Sequence, residues 1–236
     1  MTRAALVLAL AAVLWPPGAA GAESPRLGSF ELGAGPYRPN IDADFPTGPG
    51  PYQSVFGTGR RWAFRAGVSR ALLTFPGALE VGFRSGFFHA SGHGLFKNTN
   101  GSVGTEPSAD KTTFNVIPTS LTLTYRFDLL ADRYHLPLAP YGTVALERYN
   151  WWVTGGSGST RKRGATNGYA FTGGVALQLD VLDSGLAREL DNDMGINHTY
   201  LFADVTKSRV DDFGSSKSWD LSSKRLSFAF GMMFVF

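Results

Sequence analysis

The clearest pattern in this sequence is a two-residue alternation in its last thirteen residues. Every second position there is large and apolar: Leu226, Phe228, Phe230, Met232, Phe234 and Phe236. A period of two is that of a β-strand, whose successive side chains point to opposite faces. A strand with one apolar face and one small or polar face is typical of a barrel wall that faces lipid.

Seven other segments of the chain carry the same period. The eight predicted strands are Ser29–Arg38, Arg60–Leu72, Ala78–His89, Thr113–Phe127, Leu138–Trp151, Gly168–Val181, Asn197–Lys207 and Lys224–Phe236. We expect an all-β fold in which eight antiparallel strands close into an up-and-down transmembrane barrel. The predicted outer loops are residues 39–59, 90–112, 152–167 and 208–223, and the inner turns 73–77 and 128–137 are shorter.

The third inner turn, Leu182–Ile196, is long and carries a helical pattern. Asp183 or Ser184 could cap a short helix there. Three apolar residues would share one face of that helix: Leu186, Leu190 and Met194. We expect the helix to shield the inner end of the barrel, and the alternative is a docking surface for a periplasmic partner.

The positions of the charged residues distinguish a transmembrane barrel from a soluble one. Apolar faces carry charges only at strand ends, whereas Arg65, Arg84 and Asp204 lie mid-strand on the polar faces. Nearer the rims, the polar faces carry Glu31, Glu80, Arg126, Glu147, Asp180 and Arg225. A Lys or Arg facing lipid at the midplane costs about 2–4 kcal/mol, so the polar faces should line the interior. Because eight strands enclose little more than their own side chains, we expect a packed ionic network there, not a channel.

The first 22 residues have the features of a secretory signal peptide. Arg3 provides a positive start, Ala4–Trp15 is a short apolar core, and Ala20–Ala22 is a small-residue cleavage site. We therefore expect the barrel to occupy residues 23–236 after export. No later apolar run reaches the roughly 18 residues that a spanning helix needs.

Composition limits the chemistry of the chain. It contains no cysteine, which excludes disulfides and thiolate metal sites. Its net charge of +3, without a basic stripe, argues against nucleic-acid binding. His89 and His93 are four residues apart, but Gly92 and Gly94 disfavour the helix on which that spacing binds metal. We predict no cofactor and no metal site.

Two features of the predicted outer loops and strand ends concern the membrane surface. Three consecutive basic residues lie in the third outer loop: Arg161, Lys162 and Arg163. They could bind lipopolysaccharide phosphates, and the simpler alternative is a solvated charge run. Aromatic residues form two predicted interfacial belts. The outer belt is Trp62, Trp151, Trp152 and Tyr169, and the inner belt is Tyr125, Phe127, Phe234 and Phe236.

Three stretches carry a resemblance to a known group of proteins: Phe30–Asp42, Gly195–Phe202 and the terminal strand. They resemble small outer-membrane β-barrel proteins of myxobacteria and related Gram-negative bacteria, distantly similar to barrels of the OmpA, OmpX and OmpW types. The resemblance implies location in the outer membrane, among lipid and lipopolysaccharide. It also implies insertion by the barrel-assembly machinery, with Phe234 and Phe236 as the signal. It implies no catalytic residue.

The sequence therefore favours a non-enzymatic outer-membrane barrel with a structural or surface-interaction role. The first alternative is a narrow conduit for small hydrophobic molecules, as in the OmpW type. The second is a hydrolase that modifies lipid A, because His89-Ala90-Ser91 is similar to the His-x-Ser pair of outer-membrane lipid A deacylases. In that alternative Glu147 would orient the histidine.

Overall fold

The fold is a single closed sheet of eight antiparallel strands, in which each strand pairs with its neighbours in sequence and β1 pairs with β8. The computed structural model describes residues 25–45, 48–74, 76–97, 103–134, 136–155, 162–223 and 225–236. The strands are β1 Gly28–Tyr37, β2 Arg61–Leu73, β3 Ala78–Lys97, β4 Val103–Arg126, β5 Leu138–Thr154, β6 Lys162–Gln178, β7 His198–Val210 and β8 Ser227–Val235. The predicted eight-stranded up-and-down barrel is confirmed. The predicted signal peptide lies outside the described residues.

The strand register places a large apolar side chain on the outer surface of every strand. One such residue per strand, in chain order, is Leu32, Phe64, Phe83, Leu121, Leu146, Phe171, Leu201 and Phe230. Each is between 45% and 63% exposed, so the outer wall carries an apolar band around its circumference. A slip of one residue in any strand would turn this apolar set inward and the charges outward. The alternation in sequence therefore explains the register.

Closure brings the start of β1 and the end of β8 together at one end of the barrel, here called the terminal end; the opposite end is the loop end. The carbonyl oxygen of Phe236 accepts hydrogen bonds from the N–H groups of Leu27 and Gly28, at 2.5 and 2.9 Å. The N–H of Phe236 donates to the carbonyl of Gly28 at 3.0 Å. The last residue of the chain is thus fixed by the first strand.

Two of the predicted outer loops consist largely of strand. The predicted loop 90–112 is mostly hairpin, because β3 continues to Lys97 and β4 begins at Val103. In the predicted loop 152–167, β5 continues to Thr154 and β6 begins at Lys162. The prediction ended these strands where the apolar alternation ends. Backbone pairing continues beyond that point because the ladder of N–H and C=O groups does not require an alternating apolar face.

The first loop carries structure that the sequence pattern did not predict. It contains a 3-10 turn at Ile41–Asp44 and helix α1 at Pro51–Phe56. Asp42 joins them, since its Oδ1 accepts from the N–H groups of Tyr52 and Gln53, at 2.9 and 3.1 Å. Its Oδ2 lies 2.9 Å from Arg38 Nη2. One carboxylate therefore caps α1 and ties it to the end of β1.

The terminal end carries two helices, α2 at Leu129–Tyr134 and α3 at Ser184–Met194. The predicted helix α3 is present, with Asp183 accepting from the N–H groups of its first turn and Gly195 ending it at φ 67°. Its predicted shielding role is wrong, because α3 buries no residue and Leu186 and Met194 are about half exposed. Side chains from the strands already fill this end from within: Ala139, Ala176, Tyr200, Phe202, Met233 and Val235. Among the described residues, no helix is long and apolar enough to cross a membrane.

Candidate functional site

The loop end is closed by a hydrophobic cluster that joins two loops to the strands. Its buried members are Ile41, Tyr52, Phe88, Ala90, Phe114, Val116, Val210 and Leu221. The Tyr37 hydroxyl donates to the carbonyl of Leu221, and Pro39 forms an isolated bridge with Ser223. Residues 39–45, 48–56 and 211–223, with the strand residues they cover, are called the cap below. The cap lies over the mouth of the barrel.

Trp151 belongs to the cap and not to the predicted outer aromatic belt. Its ring stacks on that of Trp219, with centroids 4.1 Å apart, and its Nε1 is buried. The odd-numbered residues of β5 face inward, so Trp151 turns away from the surface while Trp152 turns toward it. The assignment to the belt was wrong because it placed two successive strand residues on one face.

Inside the barrel, four charged side chains form a layer at mid-height, here called the ionic layer: Glu31, Arg65, Arg84 and Asp204. Arg65 forms an ion pair with Asp204 and lies 3.6 Å from Glu31, while Arg84 Nε is 2.5 Å from Glu31 Oε1. The Tyr141 hydroxyl donates to Asp204 Oδ2 at 2.9 Å. The Asp204 side chain has no exposed surface. Its charge is therefore balanced entirely by these neighbours.

A second charged group lies nearer the terminal end. Arg126 is 2.9 Å from Glu80 Oε1 through Nη1 and 2.7 Å from Asp128 Oδ1 through Nε. Ser29 donates to Glu80 Oε2 at 2.7 Å. All three charged side chains are almost completely buried. The interior charges that we expected as one network thus form two groups.

Asp180 and Arg225 lie in neither group. Asp180 follows β6, where it lies 2.6 Å from His198 Nδ1 and accepts from Gln178 Nε2 at 2.9 Å and from the N–H of Thr199 at 3.1 Å. Burial raises the pKa of this carboxyl, but the hydrogen bonds outweigh burial and hold the pKa below its usual value. Arg225 is exposed before β8 begins, so its predicted interior position is wrong.

A cavity of about 120 Å³ lies between the ionic layer and the cap. Its walls include Tyr37, Ala63, Phe88, Pro118, Glu147 and Tyr149. Gly35 and Gly86 also line it, at points where the adjacent strand lies so close that a Cβ would meet its backbone oxygen. A smaller cavity of about 30 Å³ lies on the terminal side, between the two charged groups. The interior is therefore not packed throughout.

Glu147 is the charged residue that the cavity contains besides the arginines of the ionic layer. Ser120 Oγ donates to its Oε1 at 3.3 Å, and the Tyr149 hydroxyl lies beside the same carboxylate. Its Oε2 is buried without a hydrogen-bond partner among the described residues. Glu147 also forms no ion pair within 4.0 Å in that part of the chain. It was predicted to be part of the ion network, and instead it faces open space.

The carboxylate of the hydrolase alternative is separated from its histidine. His89 lies on the outer face of β3, where its Nδ1 is 2.7 Å from Asn115 Oδ1. Glu147 lines the interior cavity. The barrel wall separates the two side chains, so Glu147 cannot orient His89. Within the described residues, no group of three or more His, Asp or Glu is placed to hold a metal ion.

Two of the three basic residues predicted to contact lipopolysaccharide lie in a strand. Lys162 and Arg163 belong to β6 and are not a loop tip, and Arg161 lies outside the described residues. Strand pairing places three exposed cations lower on the outer wall: Arg148, Lys207 and Arg209. We call these three the wall patch. The sequence alone does not bring them together, since their proximity depends on the register of β5, β6 and β7.

Aromatic and polar side chains surround the wall patch. Arg148 Nη1 donates to Asn167 Oδ1 at 3.0 Å, and the Tyr169 and Phe213 rings stack with centroids 6.5 Å apart. Arg209 pairs with Asp211 at 2.8 Å and is more than half exposed. A groove bordered by Leu121, Leu146, Arg148 and Phe213 runs along this wall. The patch therefore combines positive charge with an apolar furrow at the loop end.

Comparison with known proteins does not identify a family. No family model matches this sequence, and no curated protein matches it. Among solved structures, the N-terminal β-barrel domain of Pseudomonas aeruginosa OprF is 11% identical, with a TM-score of 0.41, covering 90% of this chain and 100% of that one. Yersinia pestis Ail, in complex with the heparin analogue sucrose octasulfate, is 10% identical, with a TM-score of 0.39 and coverage of 89% and 99%. Similarities this weak carry no conclusion about activity.

Replacing Arg65 with alanine should destabilise the barrel, because it leaves the buried Asp204 carboxylate without its cation. We expect the free energy of unfolding, measured by urea titration in detergent, to fall by about 3–5 kcal/mol. Arg209→Ala removes an arginine from an exposed ion pair and should have little effect. Equal stability of the two variants would contradict the role given to the ionic layer.

The lowered pKa of Asp180 predicts a pH dependence. A carboxyl whose folded-state pKa is depressed stabilises the fold fully above its unfolded value of about 3.9, and that contribution is lost as pH falls through the folded value. Asp180→Asn should therefore lower the urea concentration at the midpoint of unfolding at pH 5. Below about pH 3, its midpoint should approach that of the parent protein. Asp193→Asn, an exposed acid on α3, is the matched control. A difference in midpoint between Asp180→Asn and the parent protein that stayed constant from pH 5 to below pH 3 would contradict the lowered pKa of Asp180.

Proposed function

We propose that this protein is an integral outer-membrane barrel with a structural or surface-binding role, and not an enzyme. The observation that carries the proposal is the apolar band on all eight strands, combined with charges paired inside. Exposed to water, such a band would cost about 25 cal/mol for each Å². Facing hydrocarbon it carries no such cost, and this inside-out arrangement is the one that membrane barrels have.

The proposal includes an orientation. Outer-membrane barrels have short periplasmic turns and longer extracellular connections. The long β3–β4 hairpin and the cap support placing the loop end outside the cell, with both termini in the periplasm. In that orientation Phe234 and Phe236 would be available to the assembly machinery, and the exposed side of α3, in the 182–196 turn, would face a periplasmic partner. The ionic layer and the cap argue for a closed anchor over a conduit for hydrophobic molecules.

Single cysteines test this orientation directly, because the native chain contains none. Ser215→Cys, exposed in the last loop, should react with an impermeant thiol reagent on intact cells. Ser184→Cys, exposed at the start of α3, should react only after the outer membrane is permeabilised. Labelling of Ser184→Cys on intact cells would reject the orientation, and recovery of both variants in the soluble periplasm would reject the membrane location.

We further propose that the wall patch and Arg163 contact lipopolysaccharide phosphates. On the outer wall, Arg163 pairs with Trp152, Arg148 pairs with Asn167 four residues farther along β6, and Lys207 pairs with Phe171 four residues beyond that. The three outward cations therefore form a row down the wall, with Arg163 and Arg148 nearest the loop end, where outer-leaflet headgroups would lie. Guanidinium groups match phosphate oxygens in geometry and charge. The furrow beside Arg148 and Phe213 would take an acyl chain of the same molecule. This replaces the loop-tip contact expected from the sequence with one on the wall.

Neutralising two cations of the patch should weaken this contact. Each basic side chain near an anionic surface contributes about 1 kcal/mol at low salt, so Arg148→Gln with Lys207→Gln should lower lipopolysaccharide affinity about thirtyfold. The control is Arg70→Gln with Arg188→Gln, two exposed arginines at the terminal end. Binding of detergent-solubilised protein to immobilised lipopolysaccharide is the measurement. Equal loss in both double variants would point to non-specific charge attraction and reject the patch.

A further inference from the structure

The cavity above the ionic layer contains a carboxylate whose charge no arginine neutralises. Arg65 and Arg84 also line it, but both are engaged with Glu31 and Asp204. Two cations therefore face two anions in that layer, and Glu147 is left over. Its Oε2 is buried and has no partner among the described residues.

A similar imbalance holds for the two charged groups and the cavity taken together. Three arginines there face five carboxylates: Arg65, Arg84 and Arg126 against Glu31, Glu80, Asp128, Glu147 and Asp204. Arg61, a further inward-facing arginine of β2, lies at the loop end, where its Nη2 donates to the carbonyl oxygens of Phe56 and Ser91. A buried charge without a counter-ion is strongly unfavourable. The interior is thus suited to take up a cation, and the space for one is at Glu147.

The walls of the cavity indicate which kind of cation fits. Tyr37, Phe88 and Tyr149 present aromatic rings, and Val116 and Pro118 add apolar surface. An inorganic divalent ion requires several oxygen ligands, usually including more than one carboxylate. One carboxylate among aromatic rings instead matches an ammonium group attached to a small apolar body, which gains from cation–π contact as well as from charge.

We propose that the cavity between the ionic layer and the cap binds a small organic ammonium ion, with Glu147 as its counter-ion. The N–H groups of the ligand donate to Glu147 Oε2. Its carbon atoms pack against Phe88 and Val116. The site is separate from the wall patch and does not depend on where in the cell the barrel resides.

The cavity lies beside the stretch of wall where regular pairing between β1 and β8 ends. The β1–β8 ladder ends at the pair Ala34 and Phe230, although β1 continues to Tyr37. Pro36 has no N–H to donate, so it cannot continue the ladder. Both Pro36 and Phe228 line the cavity. The two strands still touch here, since a Cβ at Gly35 would meet the carbonyl oxygen of Phe228, so the wall is weakly hydrogen-bonded at this point and remains continuous.

The experiment uses the full-length barrel in lipid nanodiscs and ethylammonium chloride as the probe. Saturation-transfer NMR, titrated to obtain Kd, should show saturable binding of ethylammonium. Ethanol, its neutral analogue, should show none at the same concentrations. Sodium chloride at matched ionic strength should leave the ethylammonium signal largely unchanged, since a bare inorganic ion gains nothing from the aromatic walls.

Two variants and a control locate the probe. Glu147→Gln removes the charge with little change in shape and should raise Kd by at least about tenfold. Ala63→Leu keeps Glu147 but fills the cavity, and it should abolish binding even if the first variant folds poorly. Glu106→Gln is the same chemical change at an exposed position of the β3–β4 hairpin and should leave Kd unchanged.

The outcomes separate the proposal from a cavity that holds water alone. Saturable ethylammonium binding that is lost in Glu147→Gln and Ala63→Leu, and kept in Glu106→Gln, supports the site. Absence of saturable binding to the parent protein would overturn it, as would equal binding of ethanol. Binding that persists unchanged in both cavity variants would place the probe elsewhere and would also overturn it.

Discussion

The ion pair between Arg65 and Asp204 is the contact on which the interior of this barrel depends. It joins β2 to β7 across the lumen, whereas backbone pairing joins only adjacent strands. Arg84 and Glu31 add a link between β3 and β1, and Tyr141 brings in β5. Side chains from five strands thus meet in one layer. That layer fills the lumen at mid-height and divides the interior into a part under the cap and a part near the terminal end.

Much of this architecture follows from the two-residue period of the sequence. The period predicted all eight strands, the first residues of β3 and β5, and the inward direction of Arg65, Arg84 and Asp204. It could not predict which charges would pair, since Arg65 and Asp204 are 139 residues apart in sequence and meet only through the register of the closed sheet. It also failed where pairing continues without an apolar face, as in the extended β3–β4 hairpin.

The cap illustrates a different limit of sequence reading. Its residues come from the first loop, the last loop and the outer ends of several strands, and no short segment among them carries a period. Ile41 and Leu221 are almost fully buried although both belong to loops that appear polar and rich in turn residues. Burial here results from tertiary contact between two loops, tied by Asp42 and by the bridge of Pro39 to Ser223. Local patterns contain no signal for such contacts.

Glu147 lies between the ionic layer and the cap, and its surroundings depend on both. The charged side chains of the ionic layer pair with one another. Among the described residues that line the cavity, those of the cap supply aromatic rings and no cation. A purely structural interior would be expected to place an arginine or an apolar residue at this point, because an unpaired carboxylate there weakens the fold. The lining of the space beside it includes the small residues Gly35, Ala63 and Gly86. The open space and the unpaired charge occur at the same level of the barrel, which is the arrangement expected of a site for a cation and not of a packing defect.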